Sequence, residues 1–155
     1  MDNILQSVTI EHDARWMLAA AVICVVGMAT AVNLLAEARL QSGARRRNRI
    51  VLAAFISGLA VFTTHFVALH GYQAGPEIRY ALWPTVGSFA LALGSFSVAA
   101  VAVMVRPTRL YRTLSGALAL AGVAGMHFLG ISGLRLAGEV AWEPGLAALA
   151  VVGGL

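Results

Sequence analysis

Four long apolar stretches constrain the fold of this chain more than any other feature. They cover roughly Trp16–Ala38, Ile50–Tyr72, Ala81–Val105 and Leu114–Leu136. A helix needs about 20 predominantly apolar residues to cross the hydrocarbon of a bilayer, and each stretch is long enough. Hydrophobic residues make up 59% of the 155 residues and charged residues 12%, whereas soluble domains contain about 45–50% and about 25%. The sequence therefore predicts an all-α, polytopic transmembrane helix bundle.

A fifth apolar stretch begins near Pro144 and is still apolar at Leu155. It is too short to cross about 30 Å of hydrocarbon, so we expect a truncated fifth helix and a longer parent protein. The N-terminal segment MDNILQSVTIEHDAR has no basic region ahead of its apolar residues, which argues against a cleaved signal peptide. We expect residues 1–155 to form one membrane domain.

The arginines predict the orientation in the membrane. Eight of the 11 basic residues fall in the loops after the first and third apolar stretches: Arg39, Arg45, Arg46, Arg47, Arg49, Arg106, Arg109 and Arg112. Cytoplasmic loops carry an excess of Lys and Arg, so we expect both loops in the cytoplasm and the N-terminus in the periplasm. The excess of arginine is therefore explained by the orientation of the protein in the membrane. The expected partner is the lipid bilayer, and no nucleic-acid partner is expected.

The chain also contains an internal repeat. Superposing His65 on His127 aligns Phe66 with Phe128 and Gly71 with Gly133, and it aligns the arginine-bearing segments ahead of them. Two helix pairs of the same orientation are predicted, a pattern found in other membrane folds.

Two histidines fall at the same predicted depth in the second and fourth helices. His65 lies seven residues before Tyr72, and His127 lies seven residues before Leu134, so each lies about 10 Å from the outer end of its helix at 1.5 Å per residue. Ionisable residues within membrane spans are rare and usually functional, and imidazole is the commonest metal ligand. Met126 adds a thioether, which with imidazole favours copper, and His12 lies on the same outer side. The candidate metal ligands are His65, His127, Met126 and His12.

Other interpretations of the same residues remain open. A membrane histidine can simply form a hydrogen bond to a neighbouring helix, and Met126 can fill the core. Two histidines at one depth can also ligate haem in a bis-histidine electron-transfer protein, and histidines in transporters relay protons or bind substrate. The sequence contains no paired carboxylates, Ser–His–Asp set or phosphate-binding loop, so we expect no enzyme within this segment.

Short motifs around both histidines resemble a known family. Met126-His127-Phe128-Leu129-Gly130 is similar to the signature of the MHYT domain, a bacterial integral-membrane sensor, and 64-THFVA-68 is similar to a first copy. His12-Asp13 resembles the N-terminal His-Asp of that family. The chain departs from the signature at Thr64, where the family has methionine, and at Phe128, where it has tyrosine. The resemblance covers the chain from about residue 10 onwards.

The resemblance implies a function as well as a fold. MHYT domains are proposed to bind a metal, copper being favoured, through histidine and methionine and to sense a diatomic gas such as O2, CO or NO. They are commonly followed by cytoplasmic cyclic-di-GMP modules or histidine kinases. We therefore expect a sensor in the bacterial inner (plasma) membrane that signals to a cytoplasmic domain, either in cis or in a partner protein. A third motif copy is expected beyond Leu155.

Overall fold

A computed structural model describes residues 13–71 and 79–135 of the chain. It contains four long helices: α1 (Ala14–Arg39), α2 (Gly43–His70), α3 (Leu82–Val105) and α4 (Arg109–Ser132). Each is long and apolar enough to cross a membrane, so the predicted all-α bundle of four spans is confirmed. The expected fifth helix and His12 lie outside the described residues.

Local signals explain where the helices begin and end. The Asp13 carboxylate accepts a hydrogen bond from the Arg15 N–H at the start of α1, and the Thr108 hydroxyl accepts one from the Tyr111 N–H at the start of α4. Such N-caps satisfy N–H groups that have no partner within the helix. Gly71 and Gly133 follow the last residues of α2 and α4.

The prediction that most of the arginines lie in loops is wrong. Only residues 40–42 separate α1 from α2, and α2 begins at Gly43, so Arg45 and Arg47 lie on the helix. Arg109 and Arg112 are likewise in the first turn of α4. Arginine is a good helix former, and a 28-residue helix is about 42 Å long, well beyond the hydrocarbon thickness. The helices therefore continue into the polar region.

The helices pack in the order α1, α2, α3, α4, with close contacts between each successive pair. Small side chains make these contacts. Gly27 of α1 lies against Ala60 of α2, and Gly122 of α4 lies against Ser95 of α3, so closely that a Cβ at either glycine would clash. Close approach at small residues is the usual way for helices to pack in a bilayer.

The two hairpins, α1–α2 and α3–α4, have matching ends. The Asp13 N–H donates to the Gly71 carbonyl at 2.9 Å in the first, and the Ala81 N–H donates to the Gly133 carbonyl at 2.8 Å in the second. Trp16 covers Gly71 just as Pro84 covers Gly133. These matching contacts confirm the predicted helix-pair repeat.

A short antiparallel pairing closes the second hairpin. Strands β1 (Arg79–Tyr80) and β2 (Leu134–Arg135) pair Arg79 with Arg135 and Tyr80 with Leu134. Burial raises the pKa of the Tyr80 phenol above its ordinary value, and the neutral phenol can donate a hydrogen bond.

The bundle is apolar on its outside and has small residues inside. Its exposed side chains include many valines and leucines, whereas the buried set is dominated by alanine and serine. Two contacts tie the arginine-rich ends together: Arg46 donates to the Met104 carbonyl at 2.7 Å, and Arg49 pairs with Glu37 at 2.9 Å. This distribution is that of a bundle solvated by lipid, with the charged groups of the described residues confined to its ends.

Candidate metal-binding histidine pair

His65 of α2 and His127 of α4 are in direct contact. Their Nδ1 atoms are 3.1 Å apart, and their ring centroids are 4.8 Å apart with the planes at 72°. His65 is buried, and His127 is half-buried. The structure therefore brings together the two histidines that the sequence singled out, across 62 positions of chain.

The repeat places the two imidazoles at one level. Each histidine lies five residues before the last residue of its helix, His70 in α2 and Ser132 in α4. At 1.5 Å per residue this is about 7.5 Å from the helix end. Since α2 and α4 run in the same direction, equal spacing from the end puts both rings at one depth.

Gly130 makes the space that the His65 ring occupies. A Cβ at this glycine would lie 2.7 Å from His65 Nε2. That nitrogen is buried and has no hydrogen-bond partner among the described residues. Gly130 lies three residues after His127, which puts both on the same side of α4.

A cavity of about 490 Å³ opens beside the histidine pair. It separates α1 from α4 and is walled by α2 and Phe96 of α3. Its lining includes Cys24, Met28, Thr64, His65, Met126 and His127. The walls are mainly apolar, so the cavity suits a small uncharged molecule.

The other predicted ligands differ in where they lie. Met126 is almost completely buried, with 1% of its surface exposed, and lines the same cavity. His12 lies outside the described residues. His70 packs edge-on against Trp16 at 4.7 Å and is exposed. Among residues 13–71 and 79–135 no three side chains of His, Cys, Asp or Glu converge on one point.

Two sulfur-containing residues were missed as cavity residues. No motif in the sequence points to Cys24 or Met28, yet both line the cavity from α1. Their spacing of four residues puts them on one face of the helix. That signal was in the sequence, but only the packing of α1 shows which face meets the histidines.

The histidine pair fits a metal better than it fits haem. Two nitrogens that each lie about 2.0–2.1 Å from one metal ion are about 2.8–3.4 Å apart when the N–metal–N angle is between about 90° and 109°. The separation of the two Nδ1 atoms, 3.1 Å, falls in this range. The same distance also suits a hydrogen bond in which one Nδ1–H donates to the other Nδ1. Axial ligands of haem lie on opposite faces of the macrocycle, and rings in direct contact leave no room for it.

Comparison with known proteins supports the resemblance in the motifs. Residues 58–117 and 121–154 match the MHYT family, described as the N-terminal repeat of bacterial signalling proteins. The chain belongs to the MHYT family. The two matched segments each contain one histidine of the pair, in agreement with the repeat in the structure.

Two curated relatives are signalling proteins. An uncharacterised signalling protein of Caulobacter vibrioides is 32% identical over 156 residues, which cover 98% of this chain and 19% of the relative. The bifunctional diguanylate cyclase/cyclic di-GMP phosphodiesterase MucR of Pseudomonas aeruginosa is 26% identical over 124 residues, covering 79% of this chain and 18% of the relative. No solved structure matches the chain.

The MHYT domain therefore spans about a fifth of the length of these relatives. Its membrane-spanning helices and the family match make it a membrane-spanning signalling domain.

Proposed function

We propose that this MHYT domain is a sensory module of the bacterial inner membrane that binds copper between His65 and His127. The observation that carries the proposal is the 3.1 Å separation of the two Nδ1 atoms. Copper there would supply a redox-active centre with a position for a diatomic gas, O2, CO or NO. Met126 and His12 are the further ligands in this proposal.

The donor set supports copper over harder ions. Imidazole suits zinc, copper, iron and nickel, and the thioether of a methionine favours Cu(I). Met126 lies in the wall of the cavity that both histidines line. The mainly apolar cavity beside the pair supports access by a small uncharged gas rather than a charged solute.

The helices that carry the histidines offer a path for the signal. His65 and the start of α2 at Gly43 are separated by about 33 Å of continuous helix at 1.5 Å per residue, and α4 runs parallel to it. A change in the contact between the two rings would shift α2 against α4, and small shifts of packed helices are a common signalling movement. We propose that this shift reaches a cytoplasmic output domain.

Two further parts of the proposal concern the whole protein. We propose that the domain is not itself an enzyme and that the output lies in a cytoplasmic domain, in cis or in a partner. The names of the relatives support this division, because one is a bifunctional cyclase and phosphodiesterase of which the matched segment is 18%.

Metal analysis of the purified chain tests the copper proposal. We expect near-stoichiometric copper by mass spectrometry in the wild-type chain in detergent, and its loss in both His65→Ala and His127→Ala. His70→Ala is the matched control, since His70 lies on the same helix but packs against Trp16. This variant is expected to retain the metal.

The outcomes separate the alternatives. Absence of metal from the wild-type chain, together with reduced thermal stability of both alanine variants, would make the pair a helix-packing hydrogen bond. A Soret band that disappears in the same variants would instead assign the histidines to haem. Equal copper in all four proteins would overturn the assignment of the site.

A further inference from the structure

One end of the bundle carries a concentrated positive charge. The ends of α1 and α3 and the starts of α2 and α4 meet there, with eight arginines among them, and Glu37 is the one acidic side chain at this end among the described residues. Glu37 is already paired with Arg49. We call this region the basic end; this one carboxylate leaves most of its positive charge unneutralised.

A groove on α3 runs into the basic end from the lipid-facing side. Its apolar walls are Val98, Val101, Ala102 and Val105, and Ser97 lies at its inner limit. The groove has a volume of about 420 Å³. Ser97 and Arg106 are about 14 Å apart along the axis of α3 at 1.5 Å per residue. The groove therefore reaches from the end of the helix into the hydrocarbon.

Arg106 and Tyr111 form the mouth of this α3 groove. Arg106 Nη1 donates a hydrogen bond to the Tyr111 hydroxyl oxygen at 2.9 Å, and the guanidinium carbon lies 5.4 Å from the centre of the phenol ring. The guanidinium retains four other N–H donors, and the phenol O–H is still free to donate. Arg109 is exposed at the adjacent start of α4, where the helix dipole adds further positive potential.

We propose that the α3 groove binds an anionic phospholipid, with its phosphate at Arg106 and Tyr111 and an acyl chain along the valines. An arginine fork matches the oxygens of a phosphate, and basic pockets between membrane helices are recognised lipid headgroup sites. The apolar walls favour a lipid over an acidic protein surface, because an acyl chain can lie along the valines within the hydrocarbon, whereas carboxylates are costly to place there. The site is independent of the metal proposed above.

Native mass spectrometry of the whole chain in mild detergent tests this site. Phosphatidylglycerol and phosphatidylcholine with identical acyl chains are titrated against wild type and four variants. Arg106→Gln and Val98→Trp change the mouth and the wall of the groove. Their controls are Arg39→Gln, exposed at the same basic end, and Val25→Trp, an exposed valine of α1.

We expect tighter binding of phosphatidylglycerol than of phosphatidylcholine. Arg106→Gln should weaken phosphatidylglycerol binding about fivefold, the effect of one arginine at a lipid surface, and Val98→Trp should weaken it by blocking the chain. Both controls should stay within about twofold of wild type by the same scale. Circular dichroism verifies that each variant is helical. If Arg106→Gln fails to fold, Tyr111→Phe probes the same mouth and should also weaken binding.

Three results would overturn the proposal. Equal weakening by Arg106→Gln and Arg39→Gln would mean diffuse attraction to charge rather than a site. Equal affinity for the two lipids would exclude headgroup recognition. Binding of a poly-glutamate peptide that depends on Arg106, with no preference for phosphatidylglycerol, would assign the basic end to an acidic protein surface.

Discussion

At the scale of single residues, the contact between His65 and His127 depends on a missing side chain. Gly130 lies where a Cβ would come within 2.7 Å of His65 Nε2. Because interiors are close-packed, an added methyl group in such a place displaces its neighbour or the backbone. The position of the His65 ring is thus sensitive to residue size on the opposite helix.

We predict that Gly130→Ala destabilises the domain and separates the histidines. Overpacking of this kind costs about 1–3 kcal/mol, and the displaced ring should also lower bound copper. Thermal unfolding in detergent and metal analysis measure the two effects. Gly116→Ala in the same helix is the control, since nothing lies within 4 Å of its Cβ position. It should be neutral or stabilise by about 0.5–1 kcal/mol. An unchanged Gly130→Ala would show that the ring has room to move.

At the scale of helices, each hairpin is held together by a glycine packed against a small side chain of the other helix, but the glycine is on opposite helices in the two hairpins. In the first hairpin the glycine is on the leading helix, where Gly27 meets Ala60; in the second it is on the following helix, where Gly122 meets Ser95. A close approach needs one very small residue in the pair, and either helix can supply it.

We predict that the glycine of the second hairpin can be moved from α4 to α3 with little loss of stability. Gly122→Ala alone should destabilise the domain by about 1–3 kcal/mol, because its Cβ would clash with Ser95. Adding Ser95→Gly reproduces the arrangement of the first hairpin and should recover most of the loss. The four proteins of this double-mutant cycle are compared by thermal unfolding in detergent. Strictly additive effects of the two substitutions would contradict the proposed equivalence.

At the scale of the whole molecule, the bundle has a basic end and an end near the histidines. The positive-inside rule predicts the basic end in the cytoplasm. The histidine pair would then lie near the periplasmic surface.

Cysteine labelling in intact cells tests this orientation. In a Cys24→Ser background, Leu82→Cys at the start of α3 should react with a membrane-impermeant maleimide. Ser42→Cys, between α1 and α2, should react only after permeabilisation. Both positions are exposed, and Ser42 makes no side-chain capping bond. The reverse labelling pattern would place the N-terminus in the cytoplasm and the histidine pair near the inner surface.

Sequence alone was sufficient for the features that depend on local composition. The number of spans followed from hydropathy, because crossing a bilayer needs a run of apolar residues. The repeat and the equal depth of His65 and His127 followed from their spacing, because a helix has a constant rise per residue. The MHYT motifs added the family.

Tertiary structure decided which helix faces meet. The outer surface and the core of this bundle are both apolar, so the hydropathy pattern cannot tell a lipid-facing side from a packed side. Small residues determine which faces pack together. Gly130 of α4 makes room for the His65 ring, so that α2 and α4 bring their histidines into contact. Helix α1 does not pack closely against α4, and Cys24 and Met28 line the cavity that remains between them. Those contacts depend on shape between helices distant in sequence, which no local pattern records.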